Sequence, residues 1–205
     1  MLTLTKILLR TALAALLPGL SACAVNANSA FTLETIQKDV IKSYPDVRQL
    51  TTADLVPMLA KPGQVLLLDV REPKEYAVSH LAGAVRIEPL NSFGQTSFHP
   101  TAPMAHNKAV VLYCSVGVRS SRMAQKFQDD LKRLGALAVY NLDGGVFAWH
   151  NEGRPLVNDS GPTPFIHPYD ANYRQLLKRQ QCVRFEPLPV TRGKGETSIQ
   201  SGQPR

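Results

Sequence analysis

Residues 109–121 read AVVLYCSVGVRSS, and the order of residue types in this stretch decides the fold. Ala109–Cys114 is apolar without interruption, the pattern of a strand covered on both faces, which belongs inside a parallel sheet. Gly117 then permits a tight turn, and from Arg119 to Leu134 the residues Met123, Phe127, Leu131 and Leu134 fall on one side of an amphipathic helix. The chain repeats this rhythm on either side. VLLLDV at 65–70 predicts a second buried strand with Asp69 at its carboxyl end, PKEYAVSH at 73–80 starts a helix with a proline, and GAVRI at 83–87 returns as a strand. ALAVYNL at 136–142 is a further strand, and DGGVFAW at 143–149 turns on Gly144 and Gly145 into a last helix. Strands alternating with helices predict an α/β fold, a parallel sheet with helices on both faces, in a single domain over 46–157. In such a sheet the working site lies at the carboxyl ends of the strands, where Asp69 and Cys114 both stand.

The flanks have a different character. Lys6 and Arg10 precede TALAALLPGL at 11–20, a run too short and too broken at Pro18 to span a bilayer but fitted to the core of a secretory signal over 1–22. LSAC at 20–23 resembles the lipobox of bacterial lipoproteins, which implies acylation of Cys23, a membrane partner through the lipid anchor, and a place on the periplasmic side of the bacterial envelope. Ordinary cleavage after Ala27 or Ala30 is the alternative. Residues 23–45 read as a tether and a docking helix, with Thr32 as its cap and Leu33, Ile36, Val40 and Ile41 at helical spacing. Thr51, three residues before Asp54, caps a short helix that stops at Pro62-Gly63, and 89–108 reads as a surface loop with a short helical piece. In the tail, 158–205, Tyr173, Leu176 and Leu177 predict a short amphipathic helix packed on its own domain, followed by disorder past Pro189. The net charge of +7 includes Lys6 and Arg10; without them 21 basic residues face 16 acidic ones, about +5. The basic residues are scattered, with no run interleaved with aromatics, so no nucleic-acid partner is expected.

Three cysteines, Cys23, Cys114 and Cys182, are too few for a dense disulfide framework, and Cys114 stands where a thiol can react. A free cysteine ionises at about pH 8.5, so a nucleophilic thiol needs help. The loop offers two sources: the unsatisfied N–H groups and positive end of the following helix, converged by Gly117, and the permanent charge of Arg119, which also suits an anionic substrate. Cys182, flanked by Gln181 and Val183, reads as structural or solvent-facing, with a disulfide to Cys114 as the alternative in an oxidising compartment.

LLLDVREPKEYAVSHLAGA at 66–84, VVLYCSVGVRSSRMA at 110–124 and VYNLDGGVFAWHNEGRPL at 139–156 together resemble the rhodanese-like sulfurtransferase domain. The resemblance implies that Cys114 takes a sulfane sulfur from a small anionic donor of the thiosulfate or polysulfide type, holds it as a persulfide, and passes it to a thiol or cyanide-like acceptor. It implies that Ser115, Val116, Gly117, Val118 and Arg119 form the cradle, that Asp69 and Arg71 support the loop by hydrogen bonds and charge pairing, and that no metal or organic cofactor takes part. Glu75 and His80 are expected at the helix surface and in a turn, and Gly144, Gly145 and Trp149 in the turn and core. Ser115, where many thiosulfate users carry arginine, and Ser79, where glycine usually precedes the histidine, leave the donor open. The alternatives are a cysteine-dependent phosphatase or arsenate reductase, whose loop has five residues between cysteine and arginine against four here, and a non-catalytic sulfur carrier or redox-sensing module.

Overall fold

In the computed structural model, residues 31–188 are described; Cys23 with its lipobox, and the stretch past Pro189, lie outside the described residues. The chain runs α1 (Leu33–Ser43), β1 (Gln49–Leu50), α2 (Thr52–Leu59), β2 (Val65–Asp69), α3 (Pro73–Val78), β3 (Val85–Arg86), α4 (Ala102–Ala105), β4 (Ala109–Tyr113), α5 (Val118–Arg133), β5 (Ala138–Leu142), α6 (Gly145–Asn151), β6 (Leu156–Asn158) and β7 (Gly161–Thr163). Two 3₁₀ turns follow, Tyr173–Leu176 and Gln180–Cys182. The first five strands form one parallel sheet in the order β1-β5-β4-β2-β3, an α/β fold with β4 at its centre.

Alternation along the strands explains why their sequences are apolar throughout. Leu66, Leu68, Val110, Leu112 and Val139 pack on one face with Met123, Ala124, Phe127 and Leu131 of α5 and Ala105 of α4. Leu67, Val111 and Tyr113 point to the other face, where Leu55 of α2 and Val146, Phe147 and Trp149 of α6 cover them. The caps act as their residue types dictate. The Thr32 Oγ accepts the Thr35 N–H at 3.2 Å, and the Thr51 Oγ accepts the Asp54 N–H at 3.1 Å. Leu33 and Ile36 of α1 pack against the second of these cores.

Three features depart from expectation. The strand β1 was not visible in the sequence, because two residues show no period; the Asn141 N–H to Arg48 O and Asp143 N–H to Leu50 O bonds, 2.8 and 2.9 Å, hold it at the sheet edge. The core also runs past residue 157, with Ile166, Leu176, Leu177 and Val183 joining the α6 side. Finally, the helix expected near 173–178 is a single 3₁₀ turn. The Asn151 side chain donates to the Leu176 carbonyl and accepts the Lys178 N–H, both at 2.8 Å, and so engages backbone groups that a continuing helix would use.

Candidate active site

Cys114 follows β4 directly and is 1 % exposed. Its Sγ accepts the Gly117 N–H at 3.2 Å. Gly117 takes φ +97°, a region open to glycine, and starts the helix α5 immediately after it. The N–H groups of Val118, Arg119 and Ser120 have no acceptor among the described residues, as expected for a first helical turn, while Ser121 N–H closes the first helical bond to Gly117 O at 3.0 Å. Of the residues expected to form the cradle, Ser115, Val116, Val118 and Arg119 line the space beside the thiol and Gly117 donates to it, with the helix starting one residue earlier than its periodicity suggested.

The back of the loop rests on α6. The Val146 N–H donates to the Cys114 carbonyl at 2.9 Å and the Phe147 N–H to the Ser115 carbonyl at 3.0 Å. Gly145 makes this possible: at φ +57°, a Cβ there would stand 2.7 Å from the Ser115 carbonyl oxygen and closer still to that of Cys114. Trp149 lies in the core and donates its Nε1–H to the Pro155 carbonyl at 2.8 Å.

Arg119 does not present a free charge to the thiol. Its Nη1 donates to the Glu75 Oε2 at 2.7 Å, and its Nη2 donates to the Glu75 Oε1 at 2.8 Å and to the Ser115 Oγ at 3.0 Å. The Ser115 Oγ itself donates to the Glu75 Oε1 at 2.8 Å. Glu75 is thus fully buried on α3 and is not the helix-surface residue expected. The signal was available in the spacing: Glu75, Val78 and Ser79 lie three and four residues apart, on one face of α3 and its C-cap, and all three are buried. Burial pushes the Glu75 carboxyl up; the Arg119 hydrogen bond and charge, aided by the Arg71 charge and the Glu72 N–H, outweigh this and hold it at about 2. Burial lowers the Arg119 guanidinium, and Glu75 with the Cys114 charge reverses that to a net rise.

Asp69 and Arg71 form a second pair with both side chains at 0 % exposure. The Arg71 Nη2 donates to the Asp69 Oδ2 at 2.7 Å and to the Ser79 carbonyl at 2.6 Å, and its Nε bridges both carboxylate oxygens. No hydrogen bond joins either residue to the 114–119 loop among the described residues; Arg71 acts on it through its charge on Glu75 and through Tyr113, whose ring centroid lies 5.7 Å from the Arg71 Cζ. The expected loop support is accordingly indirect, because the pair faces the α3–β3 connection. His80 is a turn contact, its Nδ1 3.0 Å from the Tyr76 carbonyl and its ring stacked on Tyr76 at 3.7 Å. Cys114 and Cys182 are both free thiols, and both are buried.

A cavity of about 110 Å³ opens onto the thiol, lined by Cys114, Ser115, Val116, Val118, Arg119, Tyr169 and Tyr173. Larger hollows of about 420 and 510 Å³ lie elsewhere, the first beside Val65 and Ala109 at the amino ends of β2 and β4, opposite the thiol. The two tyrosines come from the tail and were missed as site residues, since the stretch gave only an apolar stripe. The Arg119 Cζ lies 4.7 Å from the Tyr169 ring centroid, and Tyr169 meets Tyr173 edge to face at 5.1 Å.

The model of the rhodanese-like domain matches residues 51–152. The chain is 30% identical over 115 residues to a protein named sulfurtransferase from Allochromatium vinosum, covering 56% of this chain and 99% of that one. It is 40% identical over 83 residues to the uncharacterized protein YqhL of Bacillus subtilis, covering 40% of this chain and 59% of that one. It is 34% identical over 93 residues to the uncharacterized protein slr1261 of Synechocystis sp., covering 45% of this chain and 47% of that one. The chain spans about half the length of these last two relatives. The parallel five-stranded sheet, the cysteine loop at its centre and the match to nearly the full length of the Allochromatium protein agree: the chain belongs to the rhodanese-like family.

Proposed function

We propose that this protein is a sulfurtransferase that carries sulfane sulfur as a persulfide on Cys114. The observation that supports it most directly is the Gly117 N–H, 3.2 Å from the Cys114 Sγ, at the start of a sixteen-residue helix whose next three N–H groups have no acceptor among the described residues. These donors favour negative charge on sulfur, first as thiolate and then as persulfide. With a polysulfide donor, the Cys114 thiolate attacks a terminal sulfane sulfur, the new S–S bond forms as the old one breaks, and the shortened sulfide leaves with the electron pair. With thiosulfate the leaving group is sulfite. A thiol or cyanide acceptor then attacks the outer sulfur, takes it as a hydropersulfide or thiocyanate, and returns Cys114 to thiolate. No external oxidant or reductant is required.

The Glu75–Arg119 fork weighs against the phosphatase reading, because a guanidinium held at both Nη atoms by a carboxylate is not free to clamp a tetrahedral oxyanion. Export and acylation of Cys23 belong to the same proposal and rest on sequence alone, export on Lys6, Arg10 and the run at 11–20 and acylation on LSAC. Intact mass spectrometry after exposure to polysulfide or thiosulfate tests the chemistry. One added sulfur atom, removed by cyanide and mapped to Cys114, is expected; rapid aryl phosphate hydrolysis with no sulfur on Cys114 refutes it. Incorporation of a fatty-acid probe, lost in Cys23→Ser, tests the anchor, and a soluble wild type beginning at Asn28 or Phe31 rejects it.

A further inference from the structure

The walls of the cavity bear on a choice the family match leaves open, namely which sulfur donor the site takes. Tyr169 and Tyr173 lie beyond the matched residues 51–152, yet they close the cavity over Cys114. They are held there by several independent contacts. The Tyr169 N–H donates to the His167 Nδ1 at 3.0 Å and the Tyr173 N–H to the Asp170 Oδ1 at 2.8 Å, while Phe31 meets the Tyr173 ring edge to face at 5.3 Å. Tyr169 also adopts φ +69°, a left-handed conformation unusual for a bulky residue, which persists only where surrounding contacts enforce it.

The charge in this cavity is already balanced. Arg119 is its one cation among the lining residues, and that guanidinium turns its N–H groups to Glu75 and Ser115 and holds its Cζ 4.7 Å from the Tyr169 ring centroid. What remains for a ligand is two valines, two phenol rings and the helix N–H groups. A dianion such as thiosulfate meets no unpaired cation there. A slender monoanionic polysulfide chain places one charge at the helix N–H groups and its polarisable, weakly hydrated sulfurs against the aromatic rings, a favourable contact. The cavity, about 110 Å³, is the smallest of the hollows described above and suits a short chain of few atoms.

We infer that Tyr169 and Tyr173 are specificity-determining residues that select short polysulfide or hydropersulfide donors over thiosulfate. This rests on the sulfurtransferase reading above. The test uses the full chain and measures sulfur loading of Cys114 by peptide mass in single turnover, with inorganic polysulfide and with thiosulfate at matched sulfane sulfur. The wild type is expected to load faster from polysulfide by about tenfold or more, and Tyr169→Ala/Tyr173→Ala to lower that ratio by about tenfold. Tyr169→Leu/Tyr173→Leu keeps apolar bulk without the rings and is expected to lower the ratio as well, which keeps the test decisive if the alanine variant does not fold. Equal loading of the wild type from both donors, or an unchanged ratio in the folded leucine variant, overturns the inference while leaving the sulfurtransferase reading intact. If neither donor loads Cys114, that reading fails and takes the inference with it.

Discussion

Replacing Glu75 by glutamine is the most informative single change, because one carboxylate holds both Arg119 and Ser115. Its magnitude follows from two separate arguments. The carboxyl is held at about 2 against an ordinary value of 4.5, and that gap corresponds to roughly 3 kcal/mol in favour of the folded state at neutral pH. Removing one partner of a buried ion pair costs about 3–5 kcal/mol, and the 24% exposure of the Arg119 side chain places this pair at the lower end. Because the folded value lies below the unfolded one, the stabilisation is complete above pH 4.5 and fades as the pH falls toward 2. Paired urea melts of wild type and Glu75→Gln should therefore differ by about 3 kcal/mol at pH 7 and by only about 1 kcal/mol at pH 3. Titration of the other carboxylates is common to both proteins and cancels in the difference. A gap below about 1 kcal/mol at pH 7, or one of equal size at both pH values, refutes the assignment of Glu75 as the charged anchor of the loop.

Three further outcomes are expected. Cys114→Ser should abolish cyanide-labile sulfur yet shift stability by less than about 1 kcal/mol, since a hydroxyl can still accept the Gly117 N–H; a large drop in the urea midpoint would count against a purely chemical role. Gly145→Ala should destabilise by about 3 kcal/mol or more and weaken sulfur loading, because the new Cβ displaces the carbonyls of Cys114 and Ser115 from the α6 N–H groups; near-wild-type melting would contradict that close approach. Arg71→Met leaves Asp69 as an unpaired charge at 0 % exposure, and thermal and urea melts should register a loss of about 3–5 kcal/mol.

The parts that were legible in the sequence are those whose physics is local to one element. Val65–Asp69 and Ala109–Tyr113 declare burial on both faces through unbroken apolar runs, and the Cys114–Arg119 spacing declares a loop entering a helix. Gly144 and Gly145 declare the turn into α6, and the structure adds that a Cβ at either would meet neighbouring atoms. The Arg119 partner was not legible in the same way. A guanidinium at the mouth of a thiol loop is read as an anion site unless its carboxylate is known, and Glu75 sits forty-four positions earlier, on a helix that the chain leaves two strands before it reaches the loop. The burial of Glu75 could have been inferred from its spacing with Val78 and Ser79, but the identity of its partner could not.

Tyr169 was hidden for a related reason. Its φ of +69° is imposed by neighbours and not announced by a glycine, so the chain gives no local sign that the tail turns back over the thiol. Both omissions alter the chemistry in the same direction. With Arg119 paired to Glu75 and its Cζ 4.7 Å from the Tyr169 ring centroid, the direct contact to sulfur is the Gly117 N–H at the first turn of α5, and the guanidinium adds its charge from within the pair while fixing the shape of the loop. Arg119 is therefore a positioning residue. The donor preference proposed above rests on that pairing and on the two rings that stand beside it.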